Sequence, residues 1–198
     1  MNQLPNYSND DLKRIDAIAD HIHSIIELLG EDSARQGLLK TPHRAAKALY
    51  YLTSGYRSDA QAAMSQALFD HEGSQIVSVR NIEFYSMCEH HILPFFGKVS
   101  IAYIPSEKIV GLSKLARVVD TCAHKLQVQE RLTAEICHHI QQVLQPEGVL
   151  VVCHAQHLCM KMRGVEKQDA FTTTIHHCGV FSSDPQLRAE TLAILNNS

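Results

Sequence analysis

Apolar residues in the first part of the chain recur at alternating spacings of three and four, a pattern that is typical of amphipathic helices. The clearest example runs from Ser8 to Gly30. Ser8 and Asp11 are placed as an N-terminal cap, and Gly30 is placed as a stop signal. This stretch is therefore predicted to form one helix with a single apolar face.

Two more helices are predicted before the pattern changes. One begins at Thr41, which can cap it, has Pro42 as its first helical residue, and ends at Gly55. A shorter helix is predicted over residues 60–68. Together these helices form a predicted N-terminal helical arm over residues 1–72.

From Gly73 onwards, short apolar runs predict strands, and two helical stretches lie between them. The first of these helices is predicted to have its N-cap at Ser113, and Pro146 and Gly148 close the second. A short helix is predicted after Pro185. The predicted strands are SQIVSVRNIEFY, GKVSIAYIP, VLVVCHAQHLCMKMR and DAFTTTIHHCGVF.

The order of two strands, two helices and two strands predicts an α+β fold. We expect a four-stranded antiparallel sheet with two helices on one face, in a domain that spans residues 73–198. The other face of such a sheet has no predicted helix to cover it. An uncovered sheet face usually means association, so we expect a homo-oligomer.

Composition narrows the classes of protein that fit this pattern. The chain has 198 residues and is 45% hydrophobic, enough for a core that does not need a metal to fold. A formal charge of -3, without a block of Lys or Arg, argues against binding to nucleic acid or to an anionic membrane. We find neither a run of about 18 apolar residues nor the layout of a signal peptide, and therefore expect a cytoplasmic protein. In that reducing compartment the 6 cysteines are expected to be thiols or metal ligands.

The segment CEHH places a thiol and an imidazole, Cys88 and His91, close enough to reach one ion from a single turn. Two ligands alone hold zinc poorly, so a third must come from elsewhere in the chain. Taken alone, such a segment in a chain with 13 histidines is more often incidental than catalytic. A metal site is indicated only if a second segment joins it.

The second segment is HAQHLCMKMRG, which we predict to be a strand. On an extended strand His157, Cys159, Lys161 and Arg163 project to one face, and the intervening apolar residues project to the other. With Cys159 as the third ligand, zinc would keep one open position, the arrangement that activates water. The remaining histidines of the two segments, His90 and His157, would then be available as acids or bases.

Four segments, CEHH, GLSKLARVV, LQVQERLT and HLCMKMRG, closely resemble in this order the signature segments of GTP cyclohydrolase I. The resemblance extends from GLLKTPHRAAKAL to GVF, most of the chain. It implies the tunnelling fold, in which subunits pair their sheets into a ring and two rings stack as a toroidal decamer. The active sites of that assembly lie at subunit interfaces.

The resemblance also implies the reaction. GTP is hydrolysed at C8 of its imidazole ring, formate is released, the ribose rearranges, and 7,8-dihydroneopterin triphosphate forms as the first step of pteridine and tetrahydrofolate synthesis. One zinc ion per subunit is implied, with Cys88, His91 and Cys159 as its ligands. His157 resembles the acid and base at the purine nitrogen, and His90 resembles the group that helps proton transfer at the ribose.

Substrate contacts are implied by the same match. Glu130 resembles the residue that accepts hydrogen bonds from the guanine edge, and Gln129 is its neighbour; a carboxylate there would leave adenine unsatisfied. Arg44 lies in the first turn of a predicted helix, where an anion would relieve its conflict with the helix dipole. The full set of residues implied to lie at the triphosphate is Arg44, Lys47, Ser113, Lys114, Arg117 and Arg163.

Two other functions fit part of the pattern. One is a related tunnelling-fold enzyme for another purine or pterin, such as the nitrile reductase of queuosine synthesis or a dihydroneopterin-type enzyme, but these lack the combined CEHH and HLC segments. The other is a binding or regulatory protein with a structural zinc, which requires a fourth protein ligand. Cys178 or His177 could supply it, in the segment Ile175–Cys178 that departs from the family pattern.

Overall fold

A computed structural model describes residues 7–196 of the chain, which divides after Thr53 into two compact units. Residues 1–6, where the predicted arm begins, and 197–198, where the predicted catalytic domain ends, lie outside the described residues. The helices are α1 (Asn9–Leu28), α2 (Thr41–Leu52), α3 (Ala60–Ser65), α4 (Leu112–Ala123), α5 (Gln129–Leu144), α6 (Leu158–Lys161), α7 (Val180–Ser183) and α8 (Pro185–Asn196). The strands are β1 (Leu68–Asp70), β2 (Val77–Cys88), β3 (Pro94–Ile104), β4 (Lys108–Val110), β5 (Leu126–Gln127), β6 (Gly148–His157) and β7 (Thr172–Gly179).

The first unit is built on α1 and α2. The predicted cap of α1 is confirmed, because the Asp11 amide donates to Ser8 Oγ at 3.2 Å and the Ser8 amide donates to Asp11 Oδ2 at 3.0 Å. In α2 the cap position is Lys40, whose side chain makes no capping hydrogen bond, and Thr41 is already helical. The buried residues between the two helices are Ile15, Ala19, Ala46 and Tyr50.

The segment between Thr53 and the first long strand packs with the second unit. Ala60 and Met64 of α3 are buried in the same cluster as the sheet and its helices. A short 3-10 turn, Ser54–Arg57, leads into this segment. The domain boundary predicted between residues 72 and 73 stays a prediction.

The predicted antiparallel sheet of four long strands is confirmed. Within residues 7–196 its order is β5-β2-β3-β6-β7, where β2, β3, β6 and β7 pair antiparallel. A two-residue strand that was not predicted, β5, pairs parallel with the end of β2. Another small pair, β1 with β4, lies outside this sheet. The α+β class therefore holds, with one short addition at the β2 edge.

One face of the sheet is covered by α4 and α5, as predicted. Their apolar sides, including Leu115 and Ile136, are fully buried against strand residues such as Val99 and Val151. The opposite face was expected to have no helix. At one end of it, however, Phe181 from α7 and Leu195 from α8 bury β3 and β6 residues in a second apolar cluster.

The other end of that face is open. Tyr85 is 60% exposed and stacks on Phe96, with ring centroids 5.9 Å apart. These rings line a groove of about 390 Å³ together with Lys98 and His154. The expectation of an uncovered face is therefore met at this end of the sheet only. No helix within residues 7–196 has the length and the apolar character that crossing a bilayer requires.

Two of the wrongly predicted boundaries lie near residues of interest. The strand predicted to continue through residues 158–163 ends at His157, where the chain turns into the single helical turn α6. The helix predicted to be capped by Ser113 begins at Leu112, with Gly111 as its N-cap. Periodicity in a short apolar run does not fix where an element ends, which explains both errors.

Gly97 is required by the close approach of β3 to β6. A Cβ atom at this position would lie 1.9 Å from the carbonyl oxygen of His154 and 2.7 Å from Cα of Ala155. Both are backbone atoms of the adjacent strand, so no side-chain rotation relieves the clash.

We therefore expect Gly97→Ala to cost at least about 3 kcal/mol, at or above the upper end of ordinary overpacking, and to lower the thermal midpoint by roughly 6 °C or more. Gly111→Ala is the matched control, because its nearest contact would be Ala67 Cβ at an ordinary 3.6 Å. Thermal unfolding of the two variants checks the prediction. Equal midpoints would show that the β3–β6 spacing adjusts easily.

Candidate metal centre

The CEHH segment forms the tight connection between β2 and β3. The Cys88 amide donates to the Leu93 carbonyl and the Ile92 amide donates to the Cys88 carbonyl, both at 2.8 Å. Ile92 has a positive φ of 53°, which reverses the chain within a few residues. The reversal returns His91 towards the Cys88 side chain.

The end of β6 lies beside this hairpin. Phe95, near the start of β3, pairs directly with His157, the last residue of β6. The helical turn α6 then follows and carries Cys159 back towards the hairpin. The ligand atoms of Cys88, His91 and Cys159 all lie within 4.8 Å of one another. The three predicted metal ligands therefore converge, although through a helical turn and not through the extended strand that the sequence predicted.

The donor set fits a zinc ion. Two thiols and one imidazole form a ligand set that favours zinc over hard cations such as magnesium and calcium. Burial raises the pKa of the Cys159 thiol, and the adjacent Cys88 thiol raises it further, whereas Arg163 acts in the opposite direction. Two crowded thiols become good ligands when a divalent cation stabilises their thiolate forms. Cys88 is 6% exposed, and His91 is exposed, so the cluster has one buried side and one open side.

A fourth protein ligand is not found among residues 7–196. Cys178 pairs with Val149, at the opposite end of β6 from His157 and so roughly 26 Å along the strand at about 3.3 Å per residue. Its sulfur lies 3.6 Å from that of Cys137, and His177 Nδ1 lies 3.0 Å from Ser182 Oγ. The two candidate fourth ligands of a structural zinc site therefore lie elsewhere in this chain.

His157 is held in a defined position next to this cluster. Its ring stacks on Phe95, with centroids 4.6 Å apart and planes 1° apart. Nε2 lies 2.9 Å from Oε1 of Gln129. Burial lowers the pKa of His157, and the Glu130 carboxylate acts in the opposite direction. A neutral ring near a carboxylate is suited to accept and return a proton.

His90 has a different environment. Its Nδ1 lies 3.9 Å from Cys88 Sγ, and its side chain is 64% exposed. It is therefore adjacent to the cluster and open to a ligand, without a fixed partner of the kind that His157 has.

The helix α5 begins with Gln129 and Glu130, next to the end of β6. Glu130 is exposed in the first turn, where a carboxylate is stabilised by the helix dipole. Gln129 is only 1% exposed, and its side chain bonds to His157 and to the backbone of β6. The predicted substrate contact for Gln129 stays a prediction, but the sequence did not indicate these buried contacts.

The sequence also missed a polar network that ties the hairpin to α5. Arg131 donates through Nη2 to the carboxylate of Glu89 and through Nε to Oε1 of Gln127 at 2.7 Å. The Glu89 amide in turn donates to the Gln127 carbonyl at 3.0 Å. No sequence signal indicates it, because Gln127 belongs to β5 and lies before the N-cap of α5, where helical spacing does not apply.

The predicted phosphate contacts lie in both units. In the second unit, Ser113 and Arg117 are exposed on the first turns of α4, Lys114 Nζ donates to Gln66 Oε1 at 3.2 Å, and Arg163 follows α6. In the first unit, residues of α2 line a separate pocket of about 370 Å³. Its lining includes Lys40, His43, Arg44 and Lys47. These phosphate roles stay predictions.

Comparison with known proteins gives consistent matches. A sequence model of the family GTP cyclohydrolase I matches residues 18–196. The GTP cyclohydrolase 1 of Bacteroides thetaiotaomicron is 55% identical over 168 residues, which cover 85% of this chain and 86% of that protein. The enzyme of the same name from Porphyromonas gingivalis is 55% identical over 164 residues, 83% of this chain and 85% of that protein.

A more distant bacterial relative covers more of the chain. The GTP cyclohydrolase 1 of Chlorobium chlorochromatii is 50% identical over 188 residues, 95% of this chain and 84% of that protein. Among solved structures, the apo archaeosine synthase QueF-Like matches with a TM-score of 0.45 and 15% identity, over 55% of this chain and 97% of that one. A structural likeness this weak supports no functional inference.

The metal cluster predicts a difference between two cysteine variants. We expect Cys159→Ser to weaken zinc binding by at least about 10-fold, because loss of a ligand costs no less than loss of the groups that orient one. Cys178→Ser is the matched control and should bind zinc as the wild type does. Zinc titration of both purified variants against a metal indicator checks this. Equal zinc affinities in the two variants would remove Cys159 from the metal site.

Proposed function

This chain belongs to the GTP cyclohydrolase I family, and from that premise we propose that Cys88, His91 and Cys159 hold the zinc ion of a GTP cyclohydrolase I active site. The reaction opens the imidazole ring of GTP at C8, releases formate, rearranges the ribose and closes the ring of 7,8-dihydroneopterin triphosphate. The observation that carries the zinc assignment is the convergence of three ligand atoms within 4.8 Å. When bound, zinc supplies a Lewis acid with an open coordination position that activates water for attack on the purine.

His157 moves the proton at the purine nitrogen in this proposal. Support comes from its neutral character, its stacking on Phe95 and its fixed hydrogen bond to Gln129. Ring opening needs a group that takes a proton and returns it in a later step, and a neutral imidazole does both in turn. His90, exposed beside the cluster, is proposed to assist the later proton transfers at the ribose.

Guanine recognition is assigned to Glu130. Its carboxylate is exposed at the start of α5 and close enough to His157 to influence its pKa. A carboxylate accepts hydrogen bonds from the N1 and amino groups of guanine, whereas adenine presents no such pair of donors. The site would then favour GTP over ATP because adenine leaves the carboxylate unpaired.

The triphosphate is proposed to meet the basic residues that the family match indicates. In the second unit Arg163 follows the turn that carries Cys159 and influences the pKa of that thiol, so this cation lies near the proposed zinc. Arg117 is exposed one turn after Ser113 and Lys114 on α4. Arg44 and Lys47 are proposed for the same role on the basis of the motif match alone.

Assembly follows from the family as well. GTP cyclohydrolases of this family are homo-oligomers, and we propose the stacked-ring decamer with active sites at subunit interfaces for this chain. The open end of the sheet face supports association, because Tyr85 there is 60% exposed while stacked on Phe96. Within residues 7–196, β7 is also an edge strand of the five-stranded sheet, a position from which a strand can pair with another sheet.

The direct test is turnover of GTP. We expect the purified, zinc-analysed protein to release formate and to generate pterin absorbance at matching rates, and a chelator to abolish both. ATP is the matched control and should give neither product. A zinc-loaded oligomer that releases no formate from GTP would contradict the proposal. Formate without pterin would overturn only the role assigned to His90 in the ribose steps.

A histidine variant separates metal binding from chemistry. We expect His157→Ala to keep its zinc and to lose at least about 100-fold in kcat, within the range that a general acid and base contributes. His138→Ala is the matched control, because His138 is an exposed histidine of α5 that has no role in the proposed site, and this variant should retain kcat. Steady-state kinetics with zinc analysis of both variants checks this, and near-normal turnover by His157→Ala would overturn its role.

A further inference from the structure

We propose that Gln129 is a positioning residue that holds His157 with its hydrogen on Nε2, so that His157 exchanges protons with the substrate at Nδ1. The inference rests on the proposed function, because it assigns the reacting atom of the histidine used there. It is carried by the directions of hydrogen bonds around one buried amide, and it does not depend on the ionisation of the ring.

The orientation of the Gln129 amide follows from its two backbone partners. Its Nε2 lies 3.0 Å from the carbonyl oxygen of Cys153 and 3.0 Å from that of Thr172. A carbonyl oxygen only accepts hydrogen bonds, so the NH2 group must face both. The opposite orientation would set the amide oxygen against two carbonyl oxygens in a site where Gln129 is 1% exposed.

Hydrogen bonds of Thr133 and Thr174 require the same orientation of the Gln129 side-chain amide. Thr133 Oγ1 donates its single hydrogen to the backbone carbonyl oxygen of Gln129 at 2.8 Å. It must therefore accept a hydrogen bond from Thr174 Oγ1, which lies 2.6 Å away. Thr174 has then used its own hydrogen and accepts from Gln129 Nε2 at 3.2 Å. The Gln129 NH2 group has two hydrogens for these three acceptors, so Thr174 Oγ1 shares one of them with a backbone carbonyl oxygen, and all three acceptors require the nitrogen on this side of the amide.

The tautomer of His157 follows from that placement. With the NH2 group turned towards the carbonyls, Oε1 of Gln129 faces His157 Nε2 at 2.9 Å. An amide oxygen accepts, so Nε2 must donate, and a neutral imidazole with hydrogen on Nε2 carries its lone pair on Nδ1. Stacking on Phe95, with the ring planes 1° apart, holds the plane in which these two nitrogens lie.

The chemistry of the side chain explains why glutamine is needed at this position. A glutamate would present oxygen to the carbonyls of Cys153 and Thr172, and an asparagine is one methylene too short to reach His157. Only a glutamine presents two donors to the backbone and one acceptor to the imidazole. Gln129 therefore acts through His157 and is not assigned a contact with the reacting atoms.

The first measurement is the 15N spectrum of the zinc-loaded wild-type protein with labelled histidine, at a pH well above the ordinary histidine pKa of about 6.5. The signal of His157 is identified by its loss in His157→Ala. We expect a protonated Nε2 and an unprotonated Nδ1. The opposite tautomer in the wild type would overturn the inference, whether or not any variant folds.

The second measurement uses Gln129→Met, which keeps the length of the side chain and removes the acceptor. We expect kcat to fall by about 10- to 100-fold, as for other groups that orient a site residue, while zinc content is unchanged and KM for GTP changes less than about threefold. The His157 signal should shift to a mixture of tautomers. Gln141→Met, at a distant position of the same helix, is the matched control and should keep wild-type kcat.

Variants of Thr174 cover the case in which Gln129→Met does not fold. We expect Thr174→Val to lower kcat in part and Thr174→Ser, which restores the hydroxyl, to recover it. Equal kcat in both threonine variants would overturn the positioning role, and so would a single wild-type tautomer in Gln129→Met where that variant folds. Failure of the wild type to turn over GTP while Nε2 carries the hydrogen would instead contradict the proposed function and leave the hydrogen-bond assignment standing.

Discussion

The register of β3 against β6 is the constraint on which the candidate site depends. Because Phe95 pairs with His157, the hairpin that carries Cys88 and His91 ends level with the turn that carries Cys159. A slip of one residue would move every side chain of β6 to the other face of the sheet and separate the ligands. Gly97 protects this register, since it lets the strands approach where any side chain would collide with backbone.

Where β3 and β6 pair, the candidate site brings together side chains in three kinds of environment. The thiols are partly buried, the ring of His157 is held between an aromatic face and a buried amide, and Glu130 and His90 are exposed. Buried groups with complete hydrogen bonding stay fixed, whereas exposed groups can adapt to a ligand. The arrangement suits a reaction that needs one well-placed group to exchange protons and several consecutive proton transfers.

Much of this could be predicted from the sequence, because local patterns carry it. The capping pair at Ser8, the four long strands and the covering helices follow from periodicity and stop signals, and the ligands follow from residue chemistry together with family likeness. What the sequence could not supply is where the chain turns and which distant segments come into contact. It extended the strand past His157, where the chain turns into α6, and it gave no sign that Gln129 is buried against β6. Such contacts arise only when distant segments meet.

The measurement that tests the central claim most directly is X-ray absorption at the zinc edge of the metal-loaded protein without substrate. We expect two sulfur ligands and one imidazole, with a fourth light atom that is not an imidazole and is replaced when an exogenous ligand such as azide is added. A shell of four protein ligands, or one with fewer than two sulfurs, would contradict a catalytic zinc held by Cys88, His91 and Cys159.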